Sequence, residues 1–326
     1  MRITSPIFAG LAGLFALSLA GAAAAVELRA GYSLPETSHY GVGATAMGEE
    51  LARLTDGEFT ITQFPANALG GEREMVEGAQ LGTVDIVLTS TGPVGNFVPE
   101  TLITDIPFLF RDYAHADAVL DGPIGQEILD AFPDQGLIAL AWGENGFRNL
   151  TNSQRAVRTP EDAAGLKIRT MENPVHMEAF SQLGILPTPM AFPELFTALQ
   201  QGTVDGQENP IGVITGAKFH EVQGYLSLTN HVYSPALIIL SPTVWDTLDD
   251  EQKEAFRQAA KVGAAAMREK SRADAASGVA TLREEGMEVI EDVDRAAFEA
   301  ALEPLMAGYA EQFGQEKLDA IRNTGQ

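Results

Sequence analysis

From Asp249 to Glu285 the chain runs without a proline through a stretch rich in Ala, Glu, Lys and Arg. A helix of that length rises by roughly 50 Å at 1.5 Å per residue. That exceeds the width of one ordinary small domain, so the helix must serve more than one. Gly263 and Gly278 are the points at which the sequence predicts a bend. A length of 326 residues independently suggests about two domains.

The rest alternates between helical and extended patterns. Val42, Ala46, Leu51 and Leu54 share a helix face that Gly57 ends, and Phe59 to Thr62 alternates like a strand. Helices are predicted over Glu72–Leu81 and Ala114–Phe132, each followed by a strand, Val84–Leu88 and Leu137–Trp142. Leu166 to Arg169 is a short strand; Met177–Leu183 and Glu194–Gln200 are helical, parted by Pro187, Pro189 and Pro193. Gly206 and Pro210 bracket a predicted turn, and His231–Leu240 reads as a longer strand. Strand, helix, strand at this spacing predicts an α/β fold with parallel sheets and helices on both faces.

Charge narrows the function. With 45 acidic and 21 basic residues the chain carries −24, which disfavours nucleic acid and anionic lipid as partners. Without cysteine there are no disulfides, thiolate metal sites or cysteine nucleophiles. At the start, Met1–Arg2, the apolar run Ile7–Ala20 and the small residues Gly21–Ala25 read as a secretory signal, with cleavage predicted after Ala25. The competing reading is a membrane anchor, but the run is shorter than the roughly 20 residues a spanning helix needs. The expected mature chain is exported and does not itself insert in a membrane.

No phosphate loop, dinucleotide fingerprint, HExxH or GxSxG motif is present. The five histidines lack ligand spacing, so neither metal nor cofactor is expected. Glu144 and Glu172 have no acid–base partner nearby in sequence. The positive signal is a pair of arginines: Arg148, just past one apolar strand, and Arg169, ending another. A guanidinium fork pairs bidentately with a carboxylate at any working pH, and open α/β sheets bind ligands at strand ends. The competing reading pairs each arginine with one of the many surface acids.

The stretch Gly165-Leu166-Lys167-Ile168-Arg169, then Leu183-Gly184, Pro187-Thr188-Pro189-Met190, Ala198-Leu199-Gln200-Gln201-Gly202 and Val204-Asp205-Gly206-Gln207-Glu208-Asn209-Pro210, resembles the core signature of substrate-binding proteins of TRAP (tripartite ATP-independent periplasmic) transporters, DctP-like family. Gly70-Gly71-Glu72-Arg73-Glu74, Gly146-Phe147-Arg148 and Lys218-Phe219-His220-Glu221-Val222 extend the resemblance over about Leu28–Phe313. It implies a two-domain periplasmic-binding-protein-like fold with crossing strands and a long domain-spanning helix. One domain would hold residues 26–146 plus 235–275, the other 147–234 plus 276–326.

The resemblance also implies roles. Arg169 would salt-bridge a ligand carboxylate, Arg148 would add a contact, Asn209 would donate its amide, and Phe192 would pack on the ligand body. Weaker candidates are Glu72, Ser90 and Thr91, His39 and Tyr40 in the first loop, and Tyr233. Glu172 and Asn173 either face the cleft or cap the next helix. The implied ligand is a small organic acid, a sugar acid or C4-dicarboxylate foremost, with a sulfonate open. The implied partners are the membrane permease subunits, and the implied location is the periplasm. An ABC-type organic-anion binding protein, or an exported hydrolase or lyase, is the alternative.

Overall fold

A computed structural model describes residues 25–325, so the signal segment ahead of Ala25 lies outside the described residues. Nine strands form one sheet among them: β1 (Val26–Gly31), β2 (Phe59–Phe64), β3 (Ile86–Ser90), β4 (Ile138–Asn152), β5 (Lys167–Thr170), β6 (Leu186–Pro189), β7 (Gly206–Pro210), β8 (Tyr225–Leu240) and β9 (Glu288–Ile290). Their order is β2-β1-β3-β8-β4-β7-β5-β6, with β9 on β8. The outer pairs β1–β2, β1–β3, β5–β6 and β5–β7 are parallel, as the strand–helix alternation predicts. The middle is antiparallel, which it did not predict: β8 runs against both β3 and β4, and β4 against β7.

Two long strands cross the molecule. β4 has 15 residues and β8 has 16, and they pair along most of their length. The Ala236–Leu240 end of β8 borders β3, whereas the Arg148–Asn152 end of β4 borders β7. Each strand therefore belongs to both halves of the sheet. The pairing slips between Glu144 and Gly146, where Gly146 has φ +117°. Glycine reaches that backbone conformation without the steric cost of a Cβ.

The long helix runs from Asp250 to Glu284, opened by a reciprocal Asp249–Gln252 capping box. It is one continuous element, and its glycines are points of close contact. A Cβ on Gly263 would sit 2.7 Å from the Gly43 carbonyl, and one on Gly278 2.5 Å from Ile211 Cγ2. Gly43 lies in helix His39–Leu54 and Ile211 in helix Ile211–Gly216, on opposite sides of the crossing strands. Ala255, Phe256, Ala259, Ala260, Ala264 and Met267 bury the facing stripe. The C-terminal helices, Met306–Phe313 and Gln315–Asn323, return to the first half, where Ile321 O meets His115 Nε2 at 2.8 Å.

Several boundaries differ from expectation for local reasons. The Ala114–Phe132 helix is two, Tyr113–Leu120 and Pro123–Leu129, because Gly122 and Pro123 stop one and start the next. Gly206–Pro210 is the buried strand β7 rather than a turn: its polar side chains find partners inside the protein. The segment read as a proline break contains β6, which tolerates Pro187 and Pro189 because it is an edge strand. Among the described residues no helix is long and apolar enough to cross a membrane.

Candidate ligand-binding site

β3 and β5 end on either side of the crossing strands, and the segments following them face each other across a small cavity. Ser33, Leu34, Tyr40, Glu72 and Ser90 line it from the first half, Asn145 from the β4 irregularity, and Arg169, Met171, Phe192, Asn209 and Val213 from the second. An adjoining space shares Glu72, Arg169, Met171 and Phe192, and adds Arg73, Glu172 and Met190 among others. Six residues singled out from sequence thus meet in one cavity: Arg169, Asn209, Phe192, Glu72, Ser90 and Tyr40. Glu172 borders the second space.

Arg169 sits one residue before the end of β5 and is 2% exposed. Its Nε donates to Met190 O at 2.9 Å, and the guanidinium lies 6.0 Å from the centroid of the Phe192 ring. Neither Nη group has an acceptor among the described residues. Burial lowers its pKa to about 10, with Glu208 pulling the other way and Arg148 reinforcing the fall. It therefore stays a cation at neutral pH, buried and without a counter-ion in contact.

Arg148 differs on each point. It lies inside β4 rather than past a strand end, and it does not line the cavity. Its Nε and Nη2 donate to Glu208 Oε2 and Oε1 at 2.5 and 2.8 Å, a bidentate pair with both side chains fully buried. Burial alone would raise the Glu208 pKa, but the Arg148 charge and the hydrogen bonds from His231 and Arg148 hold it well below the usual carboxylate range. Arg148 Nη2 also reaches Asn209 Oδ1 at 3.2 Å, and Asn209 Nδ2 donates to Gln207 Oε1 at 2.5 Å. One amide hydrogen of Asn209 remains beyond those two bonds.

Glu72 opens helix Glu72–Gln80, and its Oε1 accepts from Thr89 Oγ1 (2.9 Å), Ser90 Oγ (3.2 Å) and Ser90 N (3.3 Å). Tyr40 is buried beside Ser90 and Glu72; desolvation and then the Glu72 charge push its phenol pKa far up, so it remains a neutral hydroxyl. His39 and Tyr40 are not in a loop: they form the first turn of helix His39–Leu54 behind the Ser38 cap. The His39 ring packs 4.4 Å from Tyr40, and burial pulls its pKa to about 3, leaving it neutral.

The remaining candidates lie behind the cavity. Thr91 Oγ1 donates to Asp105 Oδ1 at 2.6 Å, and Asn173 Nδ2 donates to Asp105 Oδ2 at 2.8 Å. Asn173 also caps helix Pro174–Gln182, the capping alternative for that position. Tyr233 points away into an aromatic cluster with Phe110, Tyr113 and Phe147, its hydroxyl 3.1 Å from Glu144 Oε2. Glu144 is tied in turn to Arg272 of the long helix at 2.7 Å. Asn145, Ser33, Leu34, Met171 and Val213 line the cavity without having been singled out. The adjacency of Asn145 to the Gly146-Phe147-Arg148 motif was the available signal for the first; the others carry no distinguishing chemistry.

A wider groove runs beside the long helix, lined by Leu120, Trp142, Lys261 and Arg268 among others. Arg268 there is already paired with Asp121 at 2.6 Å, so size does not mark that groove as an anion site. No cluster of three or more metal-ligating side chains occurs among the described residues.

The family model for bacterial extracellular solute-binding protein, family 7 (DctP), matches residues 30–312. A solute-binding protein of Verminephrobacter eiseniae is 53% identical over 304 residues, covering 93% of this chain and 91% of its own. A TRAP periplasmic solute-binding protein from Polaromonas sp. JS666, solved bound to D-erythronate, is 56% identical with a TM-score of 0.91, covering 92% of this chain and 99% of the other. Another, from Bordetella bronchispeptica, with density interpreted as pantoate, is 55% identical with a TM-score of 0.90 over the same shares. These relatives are binding components of transporters rather than enzymes. By sequence over nearly the whole described chain, and by fold, this protein belongs to the DctP family of TRAP solute-binding proteins.

Proposed function

We propose that the chain captures a small hydroxylated organic acid, holding its carboxylate on Arg169, and delivers it to a TRAP membrane permease. The observation that carries this reading is the contrast between two buried arginines. Arg148 has Glu208 in contact, whereas Arg169 faces the cavity with both Nη groups free of acceptors among the described residues. A desolvated cation gains most from an anion that brings its own charge into the same site. Phe192 offers an apolar wall, while Tyr40, Ser90 and Asn209 offer polar groups. The ligands of the two similar structures, D-erythronate and pantoate, are both hydroxy acids with a single carboxylate.

The proposal includes closure of two domains, residues 26–146 plus 235–275 and residues 147–234 plus 276–326, with residues 306–323 reaching back to the first as a strap. The cavity draws side chains from both, so a ligand there stabilises the closed arrangement. It also includes export: the signal is cleaved after about Ala25 and the mature protein works in the periplasm.

Calorimetric titration of the mature protein with D-erythronate, beside small-angle scattering, tests the reading. Binding with a smaller radius of gyration is expected; no binding by any short hydroxy acid would defeat it. Osmotic shock should release the mature protein, whereas retention in washed membranes would defeat the periplasmic placement.

A further inference from the structure

The cavity holds a fixed negative charge opposite its free cation. Glu72 and Arg169 border both cavities, and the Glu72 charge is near enough to raise the Arg169 pKa. All three hydrogen bonds that Glu72 receives converge on Oε1, from Thr89 and from the Ser90 backbone and hydroxyl. They pin the carboxylate, while Oε2 has no partner among the described residues. The other guanidinium groups nearby have their own anions: Arg148 is paired with Glu208, and Arg73, which lines the adjoining space, with Glu77 at 3.1 Å.

We infer that Glu72 is the charge-selecting residue of the site: it admits monocarboxylates bearing hydroxyl groups and excludes dicarboxylates. The inference rests on the hydroxy-acid reading above and separates the two ligand classes that the sequence leaves open. An ionised carboxylate only accepts hydrogen bonds, so the free Oε2 calls for a ligand donor, which a hydroxyl supplies. A second ligand carboxylate would make three anions in the cavity, Glu72 included, around the one cation there that lacks an anionic partner among the described residues, Arg169. Like charges in a desolvated site repel strongly, because little water screens them. Matching one ligand charge to Arg169 and ligand hydroxyls to Glu72 satisfies both groups.

Four ligands separate charge from hydroxylation: D-erythronate (monoanion, hydroxylated), butanoate (monoanion, bare), L-malate (dianion, hydroxylated) and succinate (dianion, bare). Wild type should bind D-erythronate at least tenfold more tightly than butanoate, and at least a hundredfold more tightly than L-malate or succinate. Glu72→Gln keeps an oxygen for Thr89 and Ser90 but removes the charge. It should weaken D-erythronate about tenfold while strengthening L-malate and succinate at least tenfold. Arg169→Ala should weaken all the carboxylates it is tested against. Wild-type binding of L-malate within tenfold of D-erythronate would overturn the assignment to Glu72. So would an unchanged preference in a folded Glu72→Gln, provided Arg169→Ala still abolishes binding. Wild-type indifference to all four acids, or binding that ignores Arg169, would instead bring down the hydroxy-acid reading and this inference with it.

Discussion

Glu208 grips the Arg148 guanidinium with both carboxylate oxygens, at 2.5 and 2.8 Å, and neither side chain is exposed. His231 Nε2 stands 3.2 Å from the same Glu208 Oε2, with Thr229 Oγ1 2.7 Å from its Nδ1. The pair joins β4 to β7, and its charge stays inside the protein. Arg169, from the neighbouring strand, is instead a buried arginine that faces the cavity.

Breaking that pair should be costly to the fold. Glu208→Gln leaves the Arg148 charge buried and uncompensated, which costs about 3–5 kcal/mol. Replacing both, with Arg148→Met and Glu208→Met, should recover most of the loss. Urea denaturation of the three proteins measures this; equal stability for Glu208→Gln and wild type would contradict a compensated pair.

Arg169→Ala should behave in the opposite way. Removing one partner of a desolvated charge pair costs about 2–5 kcal/mol of binding, or roughly 30- to 4,000-fold in affinity. Arg169→Lys should rescue only part, because an ammonium lacks the planar fork. Stability without ligand should fall little or rise, since a buried cation without a counter-ion is itself a cost. Titration with D-erythronate and thermal unfolding read the two effects separately; affinity within about threefold of wild type would remove Arg169 from the site.

Asp105 should give the apo protein a recognisable pH dependence. Burial raises its pKa to about 7, against hydrogen bonds from Thr91 and Asn173 and the Arg148 charge, with Glu208 adding to the rise. His176, with Nε2 3.9 Å away, is held neutral by burial at a pKa of about 3, so the contact is not an ion pair near neutral pH. A carboxyl with a raised folded pKa binds more protons in the native state between its unfolded value, about 3.9, and 7. Its contribution to stability therefore falls as pH rises through that window and levels off about one pH unit above it. Glu208, whose pKa is depressed, contributes a constant amount from pH 5 to 8. Asp105→Asn should become more stable relative to wild type as pH rises from 5 to 7, levelling off by about pH 8. Parallel melting curves across that range would show that Asp105 ionises normally.

Two glycine-to-alanine changes should differ in sign. In an open helix position the change stabilises by about 0.8–1 kcal/mol. Gly308 has nothing within 4 Å of its prospective Cβ, so Gly308→Ala should show that gain. At Gly263 the Cβ would meet the Gly43 carbonyl at 2.7 Å and Met47 Cβ at 2.9 Å. Overpacking of that kind costs about 1–3 kcal/mol and outweighs the propensity term. Gly263→Ala should therefore destabilise, and a gain equal to that of Gly308→Ala would refute the close helix contact.

The sequence by itself determined the elements whose cause is local. A proline-free run longer than one domain is a continuous helix wherever it packs, and apolar alternation between glycines and prolines placed most strands. The order of spaced motifs sufficed for the family, and the resemblance it carries singled out Arg169, Asn209, Phe192, Glu72, Ser90 and Tyr40, which meet around one cavity. Tertiary structure alone decided what depends on distant partners. The antiparallel centre of the sheet arises because β4 and β8 are shared by both halves, which periodicity within either strand does not encode. Gly206–Pro210 reads as a turn until Thr151 and its own neighbours take up its polar groups. Arg148 and Arg169 look equivalent in the chain. Only the fold brings Glu208, sixty residues away, onto one of them and leaves the other facing a cavity, because a buried charge is defined by what desolvates it and what pairs with it.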